Sequence, residues 1–309
     1  MNTKQTSYTS ADSIPVKLLA MCGSEFMKNG VSAIHPQVIP TNRCNLKCTW
    51  CSCANEDMAL ELAYSDIQPL VSSLKNNGAK AVTITGGGEP TMYHHLDYLI
   101  DSFLDHDIDV GMVSNGINIG IHKNIGKLEW CRISISDDRD VDRLLIGLTD
   151  VMPNQSVDWA FSYVLTANPD YDKLSKVISF ANKYSMTHVR VVSDLLDTVN
   201  VQPPPDYILD NPLVIYQHRK APRNGSKLCR MHMIKPVIGP DLKVYTCCGA
   251  QYALDPPSLK MPDELCVGKI GDVQSVPFDG SICKRCYYTG YNQALSMLAD
   301  GGLHHATFI

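Results

Sequence analysis

Apolar positions change their spacing along the chain in an ordered way. Between residues 35 and 195, short runs of consecutive or alternating apolar residues are separated by longer stretches in which apolar side chains recur every three or four positions. The short runs predict strands at 37–40, 81–85, 108–113, 130–136, 157–166 and 188–192. The longer stretches predict helices at 62–77, 96–107, 117–127, 141–151 and 171–184. The first of these carries Ile67, Leu70, Val71 and Leu74 on one face and stops at Gly78. Six strands separated in this way predict an α/β fold with a parallel sheet. Right-handed crossovers curl such a set into a doubly wound sheet or a barrel, and the pattern admits either. In both, ligands bind at the C-terminal ends of the strands. The unusual loops sit at those ends: a cysteine cluster after the first strand, Gly86-Gly87-Gly88-Glu89-Pro90 after the second, and Ser114-Asn115-Gly116 after the third.

Outside this region the pattern differs. Residues 1–34 are polar and without clear periodicity, and read as an arm. Residues 197–226 are rich in Pro, Asn and Asp and read as a linker or long loop. Residues 237–238 and 243–246, around Gly239-Pro240-Asp241, predict a β-hairpin. A closing helix is expected at 287–299, with Tyr291, Leu295 and Leu298 on one face. Three units follow: an arm at 1–34, the main domain at 35–215, and a small C-terminal domain with the closing helix at 216–309.

Composition narrows the partners. The 309 residues are 44% apolar and 19% charged, ordinary for a globular protein with a sizeable core. Lys+Arg number 27 against 32 Asp+Glu, a net charge of −5 that argues against nucleic acid as a partner. No run approaches the ~18 apolar residues that span a bilayer, and the N-terminus reads as no signal peptide. A cytoplasmic, reducing setting is therefore expected. There, cysteines in clusters mean metal or redox chemistry more often than disulfides. Of the 12 cysteines, four lie within 44–53 and six within 229–286.

Residues 44–51 read Cys-Asn-Leu-Lys-Cys-Thr-Trp-Cys. Three thiolates on one tight loop bind three irons of a 4Fe–4S cube and leave the fourth open to chemistry; a structural zinc site would want four ligands. This C-x3-C-x-aromatic-C segment, with Trp50 at the aromatic position, resembles the signature of the radical S-adenosylmethionine superfamily. Gly86, Gly87, Gly88 and Glu89 resemble that family's glycine-rich motif, and Ser114, Asn115, Ser134 and Ser136 its segments after the third and fourth strands. The resemblance runs from about 35 to 195. It implies a partial (β/α)6 barrel, a 4Fe–4S cluster on Cys44, Cys48 and Cys51, and S-adenosylmethionine chelated to the open iron, where its reductive cleavage releases a hydrogen-abstracting 5′-deoxyadenosyl radical. Trp50, the glycines with Glu89, and the four Ser/Asn positions are then expected around the cofactor, with Glu89 near the methionine amino group. A flavodoxin or ferredoxin is the implied electron donor.

The later cysteines suit a second metal. Cys229, Cys247, Cys283 and Cys286 come from separate segments, the last two as a Cys-Lys-Arg-Cys knuckle, and four soft ligands fit zinc or an iron–sulfur cluster. Beside the first domain this resembles the shortened auxiliary-cluster module called a twitch domain, related to the longer SPASM domain. No cysteine follows Cys286, so the resemblance implies one auxiliary 4Fe–4S cluster. Cys247 is preferred to its neighbour Cys248 as the ligand, and Cys266 is the alternative. Cys22, Cys53 and Cys131 are expected as buried thiols, His94 and His95 as a helix start, His304 and His305 as solvated. Asp137 and Asp138, at a strand end, are candidate contacts; Arg190 and Tyr163 face the pocket or its outside according to strand alternation. Arg219, Lys220 and Arg223 read first as a solvated loop, with an anionic contact as the lesser reading.

Three functions compete. The first is dehydrogenation of a small polar molecule, the auxiliary cluster taking up an electron, and it makes the chain an oxidoreductase. The second is modification of a peptide or protein; the arm at 1–34 is too short for a leader-binding domain, which counts against it. The third is a non-catalytic iron–sulfur or zinc protein, which the intact 86–90 segment opposes.

Overall fold

The computed structural model describes residues 34–135, 140–152, 156–197, 199–219, 221–272 and 276–299. Ser136, Asp137, Asp138, Lys220, Cys22, His304 and His305 lie outside them. The described chain is built on one ten-stranded sheet. Its strands are β1 (Gln37–Val38), β2 (Ala81–Ile84), β3 (Asp109–Ser114), β4 (Trp130–Ser134), β5 (Asp158–Leu165), β6 (His188–Ser193), β7 (Val214–Gln217), β8 (Val237–Ile238), β9 (Lys243–Tyr245) and β10 (Cys266–Lys269). The spatial order is β10-β9-β8-β1-β2-β3-β4-β5-β6-β7.

This order decides the question the pattern left open. A doubly wound sheet reverses its strand order at the first strand, so that helices cover both faces. Here β1 to β7 follow one another without reversal, all parallel. Right-handed crossovers then put every helix on the same face, and the sheet curls as an open, partial barrel. The ends, β7 and β10, do not meet.

Helices α1 (Ile67–Asn76), α2 (Leu96–Leu104), α3 (Val141–Val151) and α4 (Tyr171–Lys183) cover the outer face. Each is amphipathic as its sequence requires: α1 buries Ile67, Leu70, Val71 and Leu74, and α2 buries Leu96, Leu99, Ile100 and Phe103. They pack on the outward residues of the strands to make one continuous core that holds Val82, Ile84, Val110, Met112, Ile133 and Phe161. Asp170 caps α4: its carboxylate accepts from the Lys173 N–H at 2.8 Å. Asp170→Ala is expected to cost about 1 kcal/mol, measured as a lower midpoint in urea unfolding of the metal-free chain.

Two expectations change. The stretch 117–127 is two 3-10 turns, Ile119–Ile121 and Lys123–Lys127, rather than a helix; Gly120 and Gly126 weaken a helix here, and only Ile119 and Ile125 anchor the turns in the core. The loop expected at 197–226 contains α5 (Asp206–Leu209) and β7, a seventh parallel strand beside β6. The C-terminal hairpin forms as expected, β8 antiparallel to β9, and joins the barrel sheet. Strand β8 runs parallel to β1, with Gln37 opposite Val237 and Val38 opposite Ile238, so β8, β9 and β10 extend the barrel sheet past its first strand. Short helices α6 (Ala250–Ala253) and α7 (Thr289–Ala299) complete the C-terminal part. Leu295 is buried on α7, as the expected face requires.

Candidate active site

The loop after β1 carries the first three cysteines at the C-terminal edge of the sheet. Cys44, Cys48 and Cys51 are half-buried thiols, none of them in a disulfide. The loop is tight: the Cys51 N–H donates to the Cys48 carbonyl at 3.1 Å, and the Leu46 N–H points at the Cys44 sulfur at 3.4 Å. An N–H aimed at a thiolate is the kind of contact that stabilises a metal-bound sulfur. Burial, followed by the Glu89 charge and Cys51, raises the Cys44 thiol; a metal must displace that proton to bind. Cys53 lies within electrostatic reach of Cys51 and Cys44 but faces the interior. It is buried, its sulfur lies 3.9 Å from the Gly86 carbonyl, and burial pushes it up to about 12. Cys131 is buried in the core, as expected.

The glycine segment is strapped to this loop backbone to backbone. The Gly88 N–H donates to the Thr41 carbonyl at 3.0 Å and the Glu89 N–H to the Arg43 carbonyl at 2.8 Å. A Cβ on Gly88 would fall on the Arg43 carbonyl, and one on Gly87 on the Asn42 side chain. The glycines are therefore required by the approach of two loops, and they keep a half-buried backbone surface open beside the cysteines.

Glu89 ties the second and third loops together. It is 3% exposed. Its carboxylate accepts from the Thr91 N–H (3.1 Å) and hydroxyl (2.8 Å), the Ser114 hydroxyl (2.6 Å) and the Asn115 N–H (2.6 Å). Asn115 in turn donates to the Asn45 side chain, within the cysteine loop, at 2.7 Å. The three loops thus form one hydrogen-bonded unit, with Ser114 and Asn115 at its centre. Ser134 ends β4, half-buried and in register with Ser162 on β5. Trp50 lies on the other side of the loop, against a cavity of about 460 Å³ that Tyr163, Thr166, Asp170 and Asp194 also line. Tyr163 faces that rim, where its hydroxyl accepts from the Asp170 N–H at 2.9 Å. His95 sits at the start of α2, as expected.

A second group of thiols forms in the C-terminal part. Residues 223–229 run beside the Cys-Lys-Arg-Cys knuckle. Arg223 and Cys286 exchange two backbone hydrogen bonds at 3.0 and 2.7 Å, and the Gly225 N–H donates to the Cys283 carbonyl at 2.7 Å. Gly225 and Gly280 lie so close to Cys283 and Cys229 that a Cβ on either would crowd those side chains. Burial raises the Cys247 thiol, and the neighbouring Cys248, Cys229 and Cys286 raise it further. Burial likewise raises Cys283, with Cys286 and Cys229 adding to it. Cys229, Cys247, Cys248 and Cys286 border one small apolar cluster with Met231, Ile234, Tyr288 and Leu295, and Cys283 borders the adjoining one. The Cys248 sulfur lies 2.8 Å from the Tyr288 hydroxyl and borders a cavity. Cys266, on β10, bonds the Gly268 carbonyl at 3.3 Å. Among the described residues no three His, Cys, Asp or Glu side chains converge on a single ion.

That cavity, of about 210 Å³, lies between the two thiol groups. Ser52, Thr85 and Gly86 bound it on one side, Cys248, Gly249 and Tyr288 on the other. Its walls also carry Arg132, Arg190 and Arg219. The charge pattern of the sequence marked Arg219 only as part of a basic loop and left Arg132 unremarked; a lone arginine in an otherwise apolar strand is the signal that was there to find.

The donor set fits an iron–sulfur cluster with S-adenosylmethionine at the first site: three half-buried thiols on one loop and a backbone surface cleared of side chains, with the nearby Cys53 buried. Comparisons with known proteins agree. The profile of the Radical SAM superfamily matches residues 38–200, more than half the chain. A probable GTP 3′,8-cyclase of Methanococcus maripaludis is 28% identical over 167 residues, 53% of this chain and 50% of that one. A 7-carboxy-7-deazaguanine synthase of Neisseria meningitidis is 28% identical over 103 residues, 33% of this chain and 45% of that one. The chain thus spans about half the length of the curated relatives it matches. Among solved structures, Streptococcus suis SuiB bound to S-adenosylmethionine covers 78% of this chain and 67% of its own, at 16% identity and a TM-score of 0.54. The anSMEcpe enzyme with bound AdoMet covers 88% of this chain and 98% of its own, at 14% identity and a TM-score of 0.56; at these identities the likeness is one of fold. With the family profile over the barrel and the three-cysteine loop at its mouth, the chain belongs to the radical SAM superfamily.

Proposed function

We propose that this radical SAM enzyme dehydrogenates a small polar molecule, with an auxiliary cluster in the C-terminal part. The observation that carries the proposal is the cavity of about 210 Å³ bounded by the cysteine and glycine loops on one side and by the residues next to the second thiol group on the other. When bound, S-adenosylmethionine on a 4Fe–4S cluster supplies a radical that removes a hydrogen atom, and an auxiliary 4Fe–4S cluster accepts the electron that remains on the substrate as a proton leaves.

The chain's own residues do the rest. Cys44, Cys48 and Cys51 hold the first cluster and leave one iron open. Gly86, Gly87 and Gly88 let the cofactor lie on bare backbone, while Glu89 holds Ser114 and Asn115 in place beside it. Trp50, beside the neighbouring cavity, and Ser134, at the end of β4, are the further candidate contacts of the cofactor, and Ser136 follows Ser134 in the chain. Cys229, Cys247, Cys283 and Cys286 supply four thiolates, a set that leaves the auxiliary cluster no open iron; the direction of Cys248, toward Tyr288, supports Cys247 as the ligand. We take 35–215 as the barrel domain and 216–309 as a twitch-like module, a flavodoxin or ferredoxin as the reductant, and the reducing cytoplasm as the setting for so many free thiols. Among the described residues no helix is long and apolar enough to cross a membrane.

The names of similar proteins favour two substrate classes. The curated relatives are named for small molecules, GTP in one case and 7-carboxy-7-deazaguanine in the other, which supports a small molecule. SuiB has been solved with its precursor peptide SuiA, and anSMEcpe with a peptide, which supports a peptide as the second reading.

The test is metal content after anaerobic reconstitution. Cys283→Ala with Cys286→Ala is expected to lower iron from about eight to about four per chain and to leave the response of the remaining cluster to S-adenosylmethionine visible by electron paramagnetic resonance. Unchanged iron, or zinc in stoichiometric amount, would overturn the auxiliary cluster and with it the reason for an oxidation.

A further inference from the structure

The cavity between the thiol groups has an unusual electrostatic lining. Arg132 on β4 and Arg190 on β6 project to the concave face of the barrel, where Arg190 donates to the Ser162 hydroxyl at 3.1 Å. Arg219, just past β7, reaches the same cavity and is held by the Gln217 side chain at 3.3 Å. The Nε atoms of all three arginines are sealed from solvent and bonded to nothing. Lys235, 6% exposed, lies within electrostatic reach of Arg132 and Arg190. Among the described residues none of the four forms an ion pair with a carboxylate.

Three guanidinium groups on one cavity wall and an ammonium within electrostatic reach, with no carboxylate partner among the described residues, is a costly arrangement, because each loses its hydration and repels the others. The consequences are visible in the groups themselves. Burial, together with Arg132 and Arg219, holds the charged form of Arg190 well below its usual stability, and burial brings Arg132 down to about 10. His188, on the same face, is driven to about 3 by burial, Arg132 and Arg190, so it stays neutral and adds no fifth charge. The neighbouring Cys248 and Tyr288 hydrogen-bond each other, and burial holds Tyr288 in its neutral form. Nothing described in the cavity walls balances the charge, and the guanidinium fork is the side chain suited to bidentate capture of phosphate or carboxylate.

We propose that Arg132, Arg190 and Arg219, which line the cavity, form a receptor for a group on the substrate that carries at least two negative charges, a phosphate ester or a dicarboxylate, held between the cofactor loops and the C-terminal part. The proposal deepens the small-molecule reading above and rests on it. The charge count separates it from a neutral alcohol, and from a peptide that offers one carboxylate.

The experiment is calorimetric titration of the anaerobically reconstituted full chain with inorganic pyrophosphate and with malonate, at low salt and with saturating S-adenosylmethionine. Acetate serves as the single-charge control. At least one dianionic probe is expected to bind and to raise the melting temperature, with acetate much weaker; which probe binds tells phosphate from carboxylate. Arg190→Gln and Arg132→Met are each expected to weaken that binding by about tenfold or more, while exposed Lys80→Gln leaves it unchanged. Removing an unbalanced buried charge is also expected to raise the melting temperature of the probe-free variants, so folding is read in the same samples. Equal binding by the parent and both arginine variants, acetate binding as well as the dianions, or binding by no probe would overturn the proposal. So would competition between the probe and S-adenosylmethionine, since the arginines would then serve the cofactor's own carboxylate. The radical reading is tested separately in the parent by the change that S-adenosylmethionine makes in the spectrum of the reduced cluster. A dianion bound through the arginines without that change would leave the receptor standing and remove the proposed function.

Discussion

Replacing Cys44, Cys48 and Cys51 together by alanine is expected to abolish cleavage of S-adenosylmethionine and to lower iron from about eight to about four per reconstituted chain. The expectation of total loss rests on the loop itself. The three thiols sit on eight consecutive residues, held by the turn at Cys48–Cys51 and the N–H at the Cys44 sulfur. No described cysteine can substitute. Cys53 is committed to the interior beside the Gly86 carbonyl, Cys131 lies in the barrel core, and the C-terminal thiols lie across the cavity. The fold should survive, because the loop contributes half-exposed side chains and little core, and circular dichroism would verify this. If the triple variant kept the parent's iron and still cleaved the cofactor, the cluster would not be on this loop. About four irons in the parent and none in the variant would leave the radical site in place and remove the auxiliary cluster.

Glu89→Ala is expected to be the most damaging single change away from the cysteines. Four donors end on this carboxylate, which is the joint between the second and third loops. Truncation leaves the Thr91 and Asn115 N–H groups and the Ser114 hydroxyl without their acceptor, and Ser114 and Asn115 are themselves buried. Stranding buried donors of this kind costs about 3 kcal/mol in sum, read as a lower urea midpoint of the metal-free chain. The functional loss is expected to exceed the stability loss. Asn115 holds the cysteine loop through Asn45, so freeing it loosens the cluster ligands and the cofactor surface together. Binding of S-adenosylmethionine should therefore weaken at temperatures where the variant is still folded. Glu89→Gln keeps the shape but brings an NH2 group against donors; it should fall between parent and alanine in both measurements. Normal cofactor binding by a folded Glu89→Ala variant would show that the three loops are held by other contacts.

The parts that could be read along the chain are those that depend on local pattern. The outer-face helices and the six strands between 35 and 195 appear in the expected order, because an amphipathic helix or a half-buried strand carries its period within a few consecutive residues. Strand β7 escaped because its four residues follow Pro203-Pro204-Pro205 and are too short for a period to show against that background. The 3-10 turns at 119–127 were read as a helix because their apolar spacing mimics one; the two glycines decide otherwise. The pairing of β8 with β1 joins residues about 200 apart in the chain, and no local signal carries such a contact.

The site divides along the same line. The cysteine spacing at 44–51, the glycines at 86–88 and the Cys-Lys-Arg-Cys knuckle at 283–286 are short segments whose chemistry is complete within themselves, so the sequence alone determined the radical SAM family and the candidate ligands. The tertiary structure decided what those segments do to one another. It gave the Glu89 carboxylate to the Ser114–Asn115 loop, set the Cys248 sulfur against the Tyr288 hydroxyl, and brought Arg132, Arg190 and Arg219 from three separate segments into one cavity. The physical reason is that strand alternation assigns a side chain to one of two faces but does not name the face. Only the curl of the sheet makes one face concave, and the charges gathered there interact across space without regard to their separation along the chain.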